Sequence, residues 1–151
     1  MSTAITSVFD ALVTRISTIL PNHIRLTNPY DIAQNNERYL KQGWGLGLGP
    51  AVNTRRFNSC QFTTQRDFIL SITRQYYARE SDVASKATTE KEIFEDLYLV
   101  SKDIQKHNTL NDGLYIVTYQ GDNGIQSVFS EKDVWLYVQV RITVDYTENF
   151  T

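Results

Sequence analysis

Residues 58–78 read NSCQFTTQRDFILSITRQYYA. The stretch is rich in aromatic and β-branched residues and contains neither Pro nor Gly. Phe68, Leu70 and Ile72 fall on one face, and Asp67, Ser71 and Thr73 on the other. A period of two residues is that of a half-buried strand. Cys60 and Phe62 keep the apolar phase, and Thr64 and Arg66 interrupt it. This predicts one long bent strand, or two segments joined at a bulge. A strand of that length must be central or must reach beyond its own subunit. Cys60, placed in this strand, reads as a small buried apolar group.

The C-terminal third carries a second such pattern. Val134, Leu136, Val138, Val140, Ile142 and Val144 alternate with Trp135, Tyr137, Gln139, Arg141, Thr143 and Asp145. A strand as long as the first is expected there. Leu114–Gln120 reads as a strand before it, and Asp122, Asn123 and Gly124 form a turn signal between the two.

N-terminal to the main strand, Ile5, Val8, Phe9, Leu12, Val13, Ile16, Ile19 and Leu20 recur at three- and four-residue spacing. This is an amphipathic helix over residues 3–20, capped by Ser2 or Thr3 and stopped by Pro21. His23–Thr27 can form a short strand, and Tyr30–Gln42 reads as a long loop. Such loops are usually functional or ordered by a partner. Residues 43–49, GWGLGLG, then place four of the seven glycines on alternate positions. Trp44, Leu46 and Leu48 would share one strand face, with bare backbone on the other. No helix or Lys-Ser/Thr pair follows to make a phosphate-binding loop. Close approach of another backbone or subunit across the glycines is the better explanation. Ala51–Asn58 reads as a polar turn, and Arg79–Lys86 as a charged loop. Thr89 and Glu92 match a capping box opening a second amphipathic helix, marked by Ile93, Phe94, Leu97, Val100 and Ile104 and ending near Lys106.

The order is α-β-β-β-α-β-β. It predicts an α+β fold: a two-layer sandwich of a mostly antiparallel sheet with two amphipathic helices on one face. With no repeat or linker, residues 1–151 form a single domain of ordinary globular composition, 41% hydrophobic and 21% charged. Net charge is −2, which gives no overall drive toward nucleic acid or an anionic membrane. Charge is uneven, at +3 over residues 1–56 and −5 over the remainder. The N-terminus lacks a basic region and a long apolar run, so no signal peptide is expected, and no stretch approaches the ~20 apolar residues of a membrane span. One cysteine excludes an internal disulfide and fits a reducing cytoplasm.

No reactive centre is legible, so no catalytic residue, cofactor or metal is expected. His23 and His107 lie at the ends of separate elements, and metal sites need clustered ligands. No nucleophile-elbow motif is present. Glu92, Asp96 and Asp103 fall on one stripe of the second helix, opposite the apolar one, and read as a solvated face. Arg38, Lys41, Arg55 and Arg56 can meet beside Trp44 as a small basic patch. That patch suits either the rim of an interface or single-stranded nucleic acid.

Several motifs resemble those of small tail completion proteins of tailed bacteriophages. They are Asn28, Pro29, Tyr30 and Asp31; Gln42, Gly43 and Gly45; Gly49, Pro50, Ala51, Asn53, Thr54 and Arg56; Arg66, Asp67 and Phe68; and Glu90 with Lys91. The chain as a whole looks like a bacteriophage tail terminator. The resemblance implies a non-enzymatic virion component, made in the host cytoplasm and located at the tail and neck. It implies a homohexameric ring that caps the tail tube protein, ends tube growth and meets a neck or head-completion protein. DNA would pass through the lumen without sequence recognition, and no membrane is involved. Tyr30, Arg38, Lys41, Trp44, Gly45, Gly47, Arg55 and Arg56 are the expected subunit or tube contacts. Another neck or collar ring, and a small nucleic-acid-binding α+β module, are the alternatives.

Overall fold

The computed structural model of the chain describes residues 3–25, 42–77, 83–129 and 133–149. It is an α+β fold of two helices and a mostly antiparallel, curled sheet of seven strands. The helices are α1 (Ala4–Ile19) and α2 (Val83–Lys106). The strands are β1 (Ile24–Arg25), β2 (Gln42–Arg56), β3 (Gln61–Tyr77), β4 (Thr109–Leu110), β5 (Tyr115–Asp122), β6 (Gln126–Phe129) and β7 (Asp133–Asn149). Their order across the sheet is β1-β2-β3-β7-β5-β4, with β6 also paired to β7. β1 is parallel to β2, and every other pairing is antiparallel.

The two long strands expected from the alternation are β3 and β7, each of 17 residues. They pair without a break from Gln61 and Asn149 to Tyr77 and Asp133. Their apolar residues lie in register: Phe68 opposite Ile142, Leu70 opposite Val140, Ile72 opposite Val138. Trp44 and Leu46 of β2 extend these rows. Val8, Leu12 and Ile16 of α1 and Ile93, Val100 and Ile104 of α2 bury against the same cluster. Thr3 caps α1, its Oγ1 accepting the Thr6 N–H at 3.3 Å. Glu148 Oε1 accepts the Ile5 N–H at 2.8 Å and ties the helix start to the far end of β7.

Several sequence expectations are corrected. Helix α2 begins at Val83, six residues before the capping-box threonine, because Ala84, Lys86 and Ala87 favour helix and nothing breaks it. Thr89 is therefore an interior residue, and it is buried. Phe94 lies outside the apolar stripe and is exposed, whereas Asp96 lies inside it. Residues Ala51–Arg56 are not a polar turn: β2 continues through them, paired to the overlong β3 as far as Arg56 and Phe62. The bend falls in β2, where register shifts separate Leu48, Ala51 and Asn53. Gly49 sits at this bend, and a Cβ there would lie 2.8 Å from the Asp67 carbonyl oxygen. Cys60 is outside the strand, exposed in the turn.

The turn signal at residues 122–124 also has another meaning. β5 and β6 run in the same direction along the same neighbour, β7, so they are one interrupted strand and not a hairpin. Gly121 and Gly124 take positive φ at the interruption. Asn123 bridges it: its N–H donates to the Gln139 carbonyl at 3.1 Å, and its Oδ1 accepts the Gln139 N–H at 3.0 Å. A side-chain amide thus replaces one rung of the ladder.

Candidate functional site

A 17-residue strand at about 3.3 Å per residue spans roughly 55 Å. A compact domain of this length is only about 38 Å across, from a radius of gyration near 15 Å. The far ends of β2, β3 and β7 form an arm in which Thr64 of β3 and Tyr146 of β7 are still buried and β2 is exposed from Pro50 on. Every residue from Pro50 to Cys60 is exposed. The tip closes on itself: the Phe57 and Asn58 N–H groups both donate to the Gln61 carbonyl, at 2.9 and 3.1 Å, and Asn58 Oδ1 accepts the Cys60 N–H at 2.8 Å. Threonine pairs, Thr54 with Thr64 and Thr63 with Thr147, cross the arm at 3.4 Å. The β2 strand of the arm and its turn bury little and carry Val52 and Phe57 at 60% and 67% exposure.

Large apolar side chains are exposed at eight described positions, and five of these lie on or next to β2 and β5. Leu48, Val52 and Phe57 belong to β2 and its turn, and Leu114 and Ile116 to β5 and the residue before it. The other three, Phe94, Tyr98 and Leu99, are on α2. Among the described residues, β1 pairs with β2 at Gly43 and Trp44, and β4 pairs with β5 at Tyr115 and Ile116, with the Val117 N–H also donating to the Asn108 carbonyl at 2.8 Å.

A groove of about 680 Å³ crosses the sheet near the base of the arm. Gly47, Gly49 and Pro50 form one wall, Ile69, Gln139 and Arg141 contribute to the floor, and Gln120–Asn123 form the far wall. Arg141 reaches Asp67 at 3.6 Å, and the buried Asp67 carboxylate also accepts the Thr143 hydroxyl at 2.7 Å. The Tyr119 hydroxyl beside this region is held above its usual range, first by burial and then by the charge of Asp122.

The strongest electrostatic arrangement lies inside the fold. Asp96 of α2 takes Arg74 Nε and Nη2 at 2.9 and 3.1 Å and His23 Nε2 at 3.1 Å. Glu92 takes Arg74 Nη1 at 2.7 Å. The Asp96 side chain is only 5% exposed. Burial alone would raise its carboxyl, but the hydrogen bonds from His23 and Arg74 outweigh that and hold it below its ordinary 3.8. Burial likewise opposes the charge on Arg74, and the contacts to Asp96 and Glu92 overcome it, so its guanidinium is raised. Gln42 Nε2 lies 3.4 Å from His23 Nδ1, so the network joins the starts of β1 and β2 to β3 and α2. A second cluster closes the other end of α2, where Arg15 binds the Asp103 carboxylate at 2.7 Å and the carbonyls of Asp103, His107 and Thr109. The stripe expected to be a solvated acidic face is therefore two sets of structural ion pairs.

Among the described residues no three His, Cys, Asp or Glu side chains gather as a metal site. Among the described residues no helix is long and apolar enough to cross a membrane. Of the expected contact residues, Arg55 and Arg56 are exposed on the arm. Trp44 is 1% exposed, packed in the core, and cannot reach a partner. The glycine face was expected to be bare for another subunit, but Gly43, Gly45 and Gly47 are already buried within one copy, and Gly47 lines the groove. Tyr30, Arg38 and Lys41 lie outside the described residues. Sequence reasoning missed Val52, Phe57, Leu114 and Ile116, whose signal was an apolar residue inside a polar or turn-like stretch. No protein-family model matches the chain, and no curated protein matches it.

Proposed function

We propose that this protein is a structural ring component of a tailed bacteriophage, a terminator that assembles as a homohexamer, caps the tail tube and joins it to the neck. The observation that carries this reading is the far end of β2 and its turn, ordered by pairing to β3 yet exposed at every residue from Pro50 to Cys60, with Val52, Phe57 and Arg55 on the surface. Such a projection contributes little to folding, so contact with another chain is the economical reason for it. Interfaces favour aromatic and Arg anchors of this kind. The finer architecture belongs to the same reading: both helices cover the apolar face of the sheet in two layers, leaving the opposite, polar face and the arm for assembly. A closed ring needs two different surfaces per subunit, and the arm and the far side of the sheet are different surfaces.

The test is imaging and mass of the purified protein, alone and with tail tubes. Rings seated at tube ends, lost when residues 56–62 are replaced by an Asn-Gly turn joining the paired Arg55 and Thr63 while the remainder stays folded, are the expected result. A folded protein that ignores tube ends would end the terminator reading. Salt-sensitive binding of single-stranded DNA by a monomer would favour a nucleic-acid module instead.

A further inference from the structure

We infer that Asn123 is a site of spontaneous deamidation, and that the bridge across the β5–β6 interruption controls its rate. Asn123 and Gly124 are the chain's one Asn-Gly pair. The chemistry needs only this pair and water. The Gly124 backbone nitrogen loses its proton and attacks Asn123 Cγ. A C–N bond forms, the side-chain amide leaves as ammonia, and a cyclic imide remains. Water then opens that ring at either carbonyl, leaving Asp or isoaspartate at position 123. Glycine in second place favours the attack, because no side chain shields its nitrogen. Both residues are exposed, so water and hydroxide reach them.

The fold restrains both reacting groups. Asn123 is tied to Gln139 by its N–H to the carbonyl at 3.1 Å, by Oδ1 accepting the N–H at 3.0 Å, and by Nδ2 donating to Oε1 at 3.2 Å. Its Cγ is therefore pinned to β7. The Gly124 N–H donates to Asp122 Oδ1 at 2.8 Å. That carboxylate holds the proton that must leave, and its charge opposes the amide anion that would form. Reaction thus waits for the bridge to open, an event local to the interruption. The product does not restore the bridge. Asp lacks the amide donor to Gln139 and adds a negative charge beside Asp122. Isoaspartate places Cβ in the main chain, so the spacing that lets one residue replace a rung is lost. Asn123 also lines the groove at the base of the arm, and either product changes the charge of that wall.

Peptide mass spectrometry of the full chain tests this, with digestion at acidic pH and chromatographic separation of the Asp and isoaspartate forms. The protein is held at mildly alkaline pH, folded and in urea. The folded chain is expected to react roughly 10–100-fold more slowly, since the bonds to Gln139 and Asp122 must open first. Asp122→Ala, checked for an unchanged melting temperature, is expected to narrow the gap between folded and unfolded rates. Gln139→Ala, which removes only the acceptor of Nδ2, is a second variant with the same expectation. Equal rates in the two states of the parent would overturn the inference, because the bridge would then control nothing. So would variants of unchanged melting temperature that keep the parent's gap, because reaction would then go through global unfolding. An unfolded chain that forms no isoaspartate at position 123 would remove the site itself.

Discussion

Replacing Asp96 by Ala isolates the buried ion network. The substitution removes both acceptors of Arg74 on that carboxylate and the acceptor of His23, whose side chain is 3% exposed. Breaking a buried pair by deleting one partner costs about 3–5 kcal/mol, because the other charge stays buried and uncompensated. The lower end applies, since Glu92 still holds Arg74 at 2.7 Å. A loss of about 3 kcal/mol lowers the melting temperature by roughly 6–12 °C for a domain of this size. At a urea slope of about 2 kcal/mol per molar, the midpoint falls by ~1.5 M. Equilibrium urea unfolding followed by far-ultraviolet circular dichroism measures it. The paired change Asp96→Leu with Arg74→Met should lose less than Asp96→Ala alone, because it leaves no orphaned cation. A loss below about 1 kcal/mol for Asp96→Ala, within the range of an exposed ion pair, would refute the assignment of a buried network.

Other outcomes follow from the same geometry. Because the folded Asp96 carboxyl sits below its ordinary 3.8, the unfolded chain takes up that proton first; the associated stability is complete above the unfolded value and is lost as pH falls through the folded one, so Asp96→Ala should flatten the acid limb of a stability–pH curve. Gly49→Ala should cost about 1–3 kcal/mol in thermal unfolding, since its Cβ meets the Asp67 backbone at 2.8 Å and backbone cannot swing away. Asn123→Ala removes the rung that spans the β5–β6 interruption and should cost about 1 kcal/mol, with faster amide exchange at Gln139. By contrast, Phe57→Ser and Val52→Thr should stay within about 0.5 kcal/mol of the parent in unfolding while reducing self-association by sedimentation.

The long strands were legible because strict alternation of Val, Leu and Ile over many residues has one structural meaning. The helices were legible too, but their faces were not: Asp96 shares the spacing of Ile93, Val100 and Ile104, and nothing local says that Arg74 and His23 wait opposite it. Asp122, Asn123 and Gly124 spell a hairpin by composition, yet β7 continues past them and offers a template that keeps the chain on one course. Cys60 fell out of the strand because Asn58 and Gln61 make a better closed turn. Trp44 looked like an anchor for a partner, and became core once β3 and β7 were placed beside it. Of the candidate contacts, the arginines of the arm were visible as charge, whereas Val52 and Phe57 gained significance only when their surroundings proved empty. That required knowing how far β2 runs.

The turn at the end of the arm has a consequence for how this chain can change over time. Its residues are restrained mainly by hydrogen bonds between Asn58, Cys60 and Gln61, so most replacements of the exposed Phe57 and Ser59 side chains leave folding untouched. Sequence there is free to follow a neighbour's surface without spending the narrow stability margin that constrains the interior. Homologues that meet different neighbours are expected to diverge first at these positions, while the rows of Val, Leu and Ile beneath stay recognisably alike.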